Sequence, residues 1–126
     1  MTRTRRVLGA AAGATALVLS PITAATASAV PGYESCFPGW VCVYDWPNGL
    51  AALTSFDQNC EFHNLGERGL GDLTTSAANF TDKQVYLLDW NPATGGWNTL
   101  WHMPPGTTGN MPAGTDNRTD AIQVCA

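Results

Sequence analysis

Only six of the 126 residues are basic, and three of them, Arg3, Arg5 and Arg6, stand at the very start. Residues 30–126 keep Arg68, Lys83 and Arg118 against ten carboxylates, a net charge of −7, so no basic patch remains to hold phosphates and nucleic acid is not expected as a partner. Those 97 residues suffice for one domain with its own core and not for two.

The chain opens as a secretory signal does. A positive start precedes an apolar stretch from Val7 to about Leu19, and Ala27-Ser28-Ala29 supplies the small residues a signal peptidase accepts. Thr15, Ser20, Pro21 and Thr23 break the stretch short of the roughly 20 apolar residues that cross a bilayer. The expectation is a signal over 1–29, cleavage before Val30, and a secreted, extracellular, monomeric protein without a membrane partner.

All four cysteines, Cys36, Cys42, Cys60 and Cys125, follow that segment, and an even count in a small exported domain reads as two disulfides. Three pairings are possible. Cys36 and Cys42 are close enough to clip the entry to a first strand, which leaves Cys60 to fasten Cys125. Zinc ligation with His63 and His102 lacks any paired CxxC or HxxxH spacing.

After residue 30 no window keeps a helical period. Short runs rich in β-branched and aromatic residues appear instead: Trp40–Tyr44, Val85–Leu88, Trp97–Trp101 and Ala121–Cys125. Turn signals separate them, at Pro47-Asn48-Gly49, Asn91-Pro92, Gly95-Gly96 and Met103 to Thr115. This pattern predicts an all-β sandwich or barrel. Trp40, Trp46 and Trp90 are expected to pack in the core or at turns, and Trp97 and Trp101 to share a strand face with one exposed.

The sequence also repeats itself. A gapless shift of 44 pairs Val41 with Val85, Asp45 with Asp89, Trp46 with Trp90, Asp72 with Asp116, Thr75 with Thr119 and Ala77 with Ala121. Two copies of one β motif, about 36–80 and 81–126, are predicted, each long enough for a four-stranded Greek key.

The opening Cys36-Phe37-Pro38-Gly39-Trp40-Val41-Cys42-Val43-Tyr44 and this two-copy layout resemble the βγ-crystallin domains, and within them peptidase inhibitor family 36, the family of the Streptomyces metalloproteinase inhibitor. The resemblance runs from Cys36 to Cys125. It implies two Greek-key motifs packed as a crystallin-like sandwich, and an inhibitor that binds an extracellular protease, in particular a metalloprotease, through an exposed loop. The hairpin after Tyr44 departs from the crystallin pattern at Gly49 and Ala51, and Leu88 stands in the second copy where the first has Tyr44.

The resemblance also implies calcium in two turns. The frames Gly71-Asp72-Leu73-Thr74-Thr75-Ser76 and Thr115-Asp116-Asn117-Arg118-Thr119-Asp120 make Asp72, Thr75, Ser76, Asp116, Thr119 and Asp120 the candidate ligands. Turn residues of the same kinds also serve local hydrogen bonding alone. For the protease contact, Asn64–Gly71 offers Leu65 and Leu70, apolar side chains of the size thermolysin-like enzymes accept after the cut. Met103–Thr115 offers Met103 and Met111, but its prolines lack the backbone donors for strand-like docking.

Catalysis is not expected: the two histidines stand in no motif and the cysteines are used in disulfides. The rival readings are a calcium-stabilised crystallin-like module and a killer-toxin-like antimicrobial protein. No cofactor beyond calcium is implied. The sequons at Asn79 and Asn117 are read as coincidental.

Overall fold

The computed structural model describes residues 30–125; the expected signal segment lies outside them. Eight strands follow in order: β1 (Trp40–Tyr44), β2 (Ala52–Asp57), β3 (Phe62–Asn64), β4 (Ser76–Asn79), β5 (Val85–Asn91), β6 (Gly96–Met103), β7 (Thr108–Asn110) and β8 (Ala121–Val124). They form two antiparallel sheets of four, ordered β2-β1-β4-β7 and β3-β8-β5-β6. Among the described residues no helix is long and apolar enough to cross a membrane.

The order has a direct consequence. Each half of the chain keeps its first, second and fourth strands together and sends its third strand to the edge of the other half's sheet. Neither half can complete a sheet alone, so the two copies form one cooperative unit.

Val41, Val43, Phe56, Ala77, Val85, Leu87, Met103, Ile122 and Val124 fill the space between the sheets, together with Leu65 and Met111 from the connections. β1 does not alternate as a half-buried strand would: Val41 to Tyr44 are all buried. The segment before it lies over the outer face of the first sheet, where Tyr33 and Cys36 cover Cys42, Tyr44 and Ala78. Tyr33 meets Tyr44 edge to face at 5.5 Å. This cover folds back so closely that a Cβ on Gly32 (φ 90°) would sit 2.3 Å from the Asn48 carbonyl oxygen. One on Gly49 (φ 76°) would lie 2.0 Å from the Gly32 oxygen, so both positions require glycine.

The disulfides join Cys36 to Cys42 and Cys60 to Cys125, the pairing expected from the spacing, and no described cysteine is free. The first pins the cover to β1. The second ties the end of β8 to the chain entering β3, and for its 65-residue separation the chain-entropy account gives about 4 kcal/mol. Two disulfides suit an oxidising or extracellular setting.

The internal repeat is real in the backbone but not at a single offset. The β1–β2 and β5–β6 hairpins carry the same bulge, between Val43 and Tyr44 and between Leu87 and Leu88, 44 residues apart. At the fourth strands the offset is 45: Val41 faces Asn79 while Val85 faces Val124, and Tyr44 faces Ser76 while Leu88 faces Ala121. The gapless pairing of Asp72 with Asp116 and Thr75 with Thr119 is therefore corrected by one residue. Asp72 corresponds to Asn117, both in the left-handed region at φ 57° and 56°. Thr74 corresponds to Thr119, both wholly buried, and Thr75 corresponds to Asp120.

The hydroxyls of Thr74 and Thr119 have no hydrogen-bond partner among the described residues. A buried hydroxyl left unpaired costs about 1–3 kcal/mol, and valine has nearly the same shape. Thr74→Val and Thr119→Val are expected to raise stability by about 1 kcal/mol each in urea melts. Destabilisation by either would show that its hydroxyl is hydrogen-bonded in solution.

Candidate functional site

The two turns before β4 and β8 interlock. The Asp72 N–H donates to the Thr119 carbonyl at 3.0 Å, and the Asn117 N–H donates to the Thr74 carbonyl at 3.1 Å. With the 45-residue correspondence these are the same bond made twice, about a pseudo-twofold axis. The left-handed conformation at Asp72 and Asn117 suits short polar side chains.

The side chains break that symmetry. On one side the Thr75 hydroxyl donates to Asn117 Oδ1 at 3.2 Å. The corresponding pair on the other side is Asp120 and Asp72, two carboxylates. Asp89 joins them, and carboxylate oxygens of all three lie within 4.8 Å of one another. Asp89 is partly answered by Arg118, whose Nη2 reaches its Oδ2 at 2.7 Å. Asp120 Oδ2 accepts the Trp90 backbone N–H at 3.1 Å. Partial burial, with Asp72 and Asp89 adding to it, still holds the Asp120 carboxyl above its ordinary value, against the opposing Trp90 hydrogen bond.

The other expected calcium ligands do not join this trio. Ser76 is engaged locally: its hydroxyl donates to the Trp46 carbonyl at 2.6 Å and accepts the Gly49 N–H at 3.0 Å, holding the β1–β2 connection. Thr75 is committed to Asn117, Thr119 is buried with its carbonyl on Asp72, and Asp116 stands outside the carboxylate group. Asp89, which no motif frame included, is the third member. The 44-residue match of Asp45 with Asp89 marked the position, but only the hairpin's pairing brings it beside the turns.

The leucines expected at a protease contact lie elsewhere than the surface. Leu65 is 0 % exposed inside the core, and Leu70 is partly buried against that core. Met103 and Met111 are buried too. The reason is topological: the connection after β3 must close one end of the sandwich, and Leu65 and Leu70 are its plug. Asn79 is likewise buried, with its amide donating to the Lys83 and Met103 carbonyls at 2.8 Å each, so its sequon is closed to modification in the folded domain.

Three of the tryptophans went the other way. Trp40, Trp46 and Trp90, expected to pack, are exposed, whereas Trp101 leans on the core and Trp97 is at the surface. Trp90 and Trp97 face each other across β5 and β6 with ring centroids 5.1 Å apart, and Phe62 meets Trp97 at 5.2 Å. Beside this row runs an open groove of about 440 Å³ lined by Asn64, Gly66, Glu67, Trp90, Trp97 and Asp120.

Compared with protein-family profiles, characterised proteins and solved structures, the chain matches none.

Asp120 gives a pH test. Its carboxyl is held above the ordinary 3.8, so the folded state favours the protonated form; that contribution is complete below 3.8 and lost as pH rises through the folded value. Asp120→Asn, which keeps an acceptor for Trp90, is expected to raise the melting temperature at pH 7 and to match the wild type near pH 3. A variant less stable than wild type at pH 7 would contradict this sign.

Proposed function

We propose that the protein is a secreted inhibitor of an extracellular metalloprotease, built on a crystallin-type pair of Greek-key motifs. The exchange of third strands between the sheets and the Cys36–Cys42 clip in the opening motif support the fold reading. One further observation carries the inhibitor reading. The segment Gln58–Phe62 is exposed throughout, is stapled at Cys60 to Cys125, and runs into β3, whose outer edge is unpaired.

An exposed, tethered segment that runs into a free sheet edge suits a protease cleft, which takes substrate as an added strand. Pre-organisation by the disulfide lowers the entropy cost of binding. The Glu61 carbonyl accepts the Val124 N–H at 3.0 Å, so the strand is held from its inner side as well. Phe62, 44 % exposed, supplies the large apolar side chain that buried Leu65 cannot. A cut between Glu61 and Phe62 would leave both new ends attached, one through Cys60 and one through the β3–β8 pairing, which favours religation over release.

A second reading is favoured by the carboxylate trio. Asp72, Asp89 and Asp120 supply the oxygen donors that a calcium ion takes, at a place where the pseudo-symmetric partner has an ordinary hydrogen bond. Calcium there would relieve like-charge repulsion and act as a stabiliser of the fold.

Residues 30–126 mixed with secreted metallo- and serine proteases are expected to inhibit a metalloprotease stoichiometrically at micromolar concentration. Phe62→Asp should weaken inhibition at least 100-fold with an unchanged melting temperature. Replacing Cys60 and Cys125 by serine should turn the inhibitor into a substrate. A panel left untouched by the wild-type protein removes the inhibitor reading.

For calcium, saturation at 100 times the dissociation constant adds about 2.7 kcal/mol. Melting in millimolar calcium is expected to shift upward for wild type and not for Asp120→Asn. No shift for wild type leaves the trio as a repulsive cluster only.

A further inference from the structure

The groove and its two tryptophans lie outside the segment Gln58–Phe62 of the protease reading, and only Phe62, at the far end of the aromatic row, belongs to both. Single exposed apolar residues are ordinary on a protein surface, but a contiguous set is not. Here Phe62, Trp97 and Trp90 are 44 %, 36 % and 43 % exposed and touch in sequence. They stand at one end of the second sheet, with the groove between the two tryptophans and the turn after β3.

The charge of the groove is one-sided. Its ionisable lining residues are Glu67 and Asp120, and Asp72 and Asp89 lie directly behind Asp120. No lysine or arginine lines it. Of the neighbouring cations, Arg118 is engaged by Asp89 and the Gly114 carbonyl, and Arg68 lies over the Phe56 ring at 5.2 Å. Asn64 Oδ1 and Asp120 Oδ2 already accept backbone N–H groups, which holds both side chains in place. The Glu67 carboxylate has no hydrogen bond or ion pair among the described residues.

Indole faces opposite carboxylates attract an organic cation twice, through the ring quadrupole and through direct charge pairing. We infer that this groove binds a lysine or arginine side chain of a basic extracellular polypeptide, seated on Trp90 and Trp97 with its charged end towards Glu67 and Asp120. The groove opens along the aromatic row to Phe62, which gives the residues flanking that side chain an apolar surface to lie on. Charge complementarity selects this occupant over a neutral sugar, which would stack on the same rings without using the carboxylates. A free small ammonium would leave most of the row uncovered.

The test is a titration of ¹⁵N-labelled residues 30–126 with an acetylated hexalysine amide in 150 mM NaCl. The indole N–H signals of Trp90 and Trp97 are expected to shift and those of Trp40 and Trp46 to stay. Trp90→Leu and Trp97→Leu, which keep apolar bulk and lose the π face, should each weaken binding at least tenfold, and Glu67→Gln about fivefold. Glu34→Gln carries the same charge change on the cover of the other sheet and should change affinity less than twofold. If Glu34→Gln weakens binding as much as Glu67→Gln, diffuse charge explains the binding and the inference is overturned. It is also overturned if hexalysine leaves the two indoles unmoved, whether or not a neutral N-acetylglucosamine hexamer shifts them. The wild-type shifts decide the matter even if a leucine variant does not fold. Phe62→Asp separates the readings: loss of protease inhibition with the indole shifts retained leaves this groove standing by itself.

Discussion

Everything in this domain hangs on the pair of backbone hydrogen bonds by which the turn before each fourth strand holds the other turn. Asp72 on Thr119 and Asn117 on Thr74 fix the distance between the two sheets at one end of the sandwich. From there β4 and β8 start in register with β1 and β5, and the exchanged third strands find their edges. Such bonds individually add only about 1 kcal/mol. Their weight comes from position, because the left-handed residue in each turn sets the direction in which its strand departs.

A domain of this size has little interior to spend on stability, and its construction answers that in two ways. The cover segment buries the second face of β1, so Cys42 and Tyr44 contribute to a core that an open sheet face would have denied them. The two disulfides then hold the cover, which belongs to no sheet, and the chain entering the edge strand β3, which is tied to the end of β8. The Gly32–Gly49 contact shows how close that cover lies: neither backbone leaves room for a side chain.

The sequence made the class of fold legible because strand runs, turn residues and paired cysteines are local signals. The repeat was legible too, whereas the hairpin bulges that share its offset of 44 appear only in the strand pairing. A gapless comparison failed at the fourth strands because the second copy has a longer hairpin and a shorter run from it to the last strand, a net gain of one residue. Identities at Asp72/Asp116 and Thr75/Thr119 outweighed the weaker chemical likeness of Asp72 to Asn117, and only backbone conformation exposes the latter. Burial was misread for a related reason. Leu65 looks like an offered side chain in a glycine-rich loop, and Trp90 looks like core, yet the topology plugs the sandwich with the first and leaves the second outside. Nothing in linear spacing says which side of a connecting loop faces the core.

The one-residue correction also changes what is unusual about the second copy. In the first copy Thr75 meets Asn117 through a neutral hydrogen bond, and Ser76 ties down the hairpin. In the second, Asp120 takes the position of Thr75, holds its own hairpin through the Trp90 N–H, and in doing so faces Asp72 and Asp89. Threonine there would remove the repulsion but also the carboxylate that accepts the Trp90 N–H. That carboxylate lines the groove walled by the exposed Trp90 and Trp97. The aromatic row and the acidic floor thus come from the same place in the repeat, where β5 and β6 run on in pairing past the bulge to Asn91 and Gly96. In the first copy the chain turns away after Tyr44 and the corresponding Trp46 has no paired ring beside it. Function in this fold is therefore sought where the two copies differ, and they differ most at Asp120 and the strand ends around it.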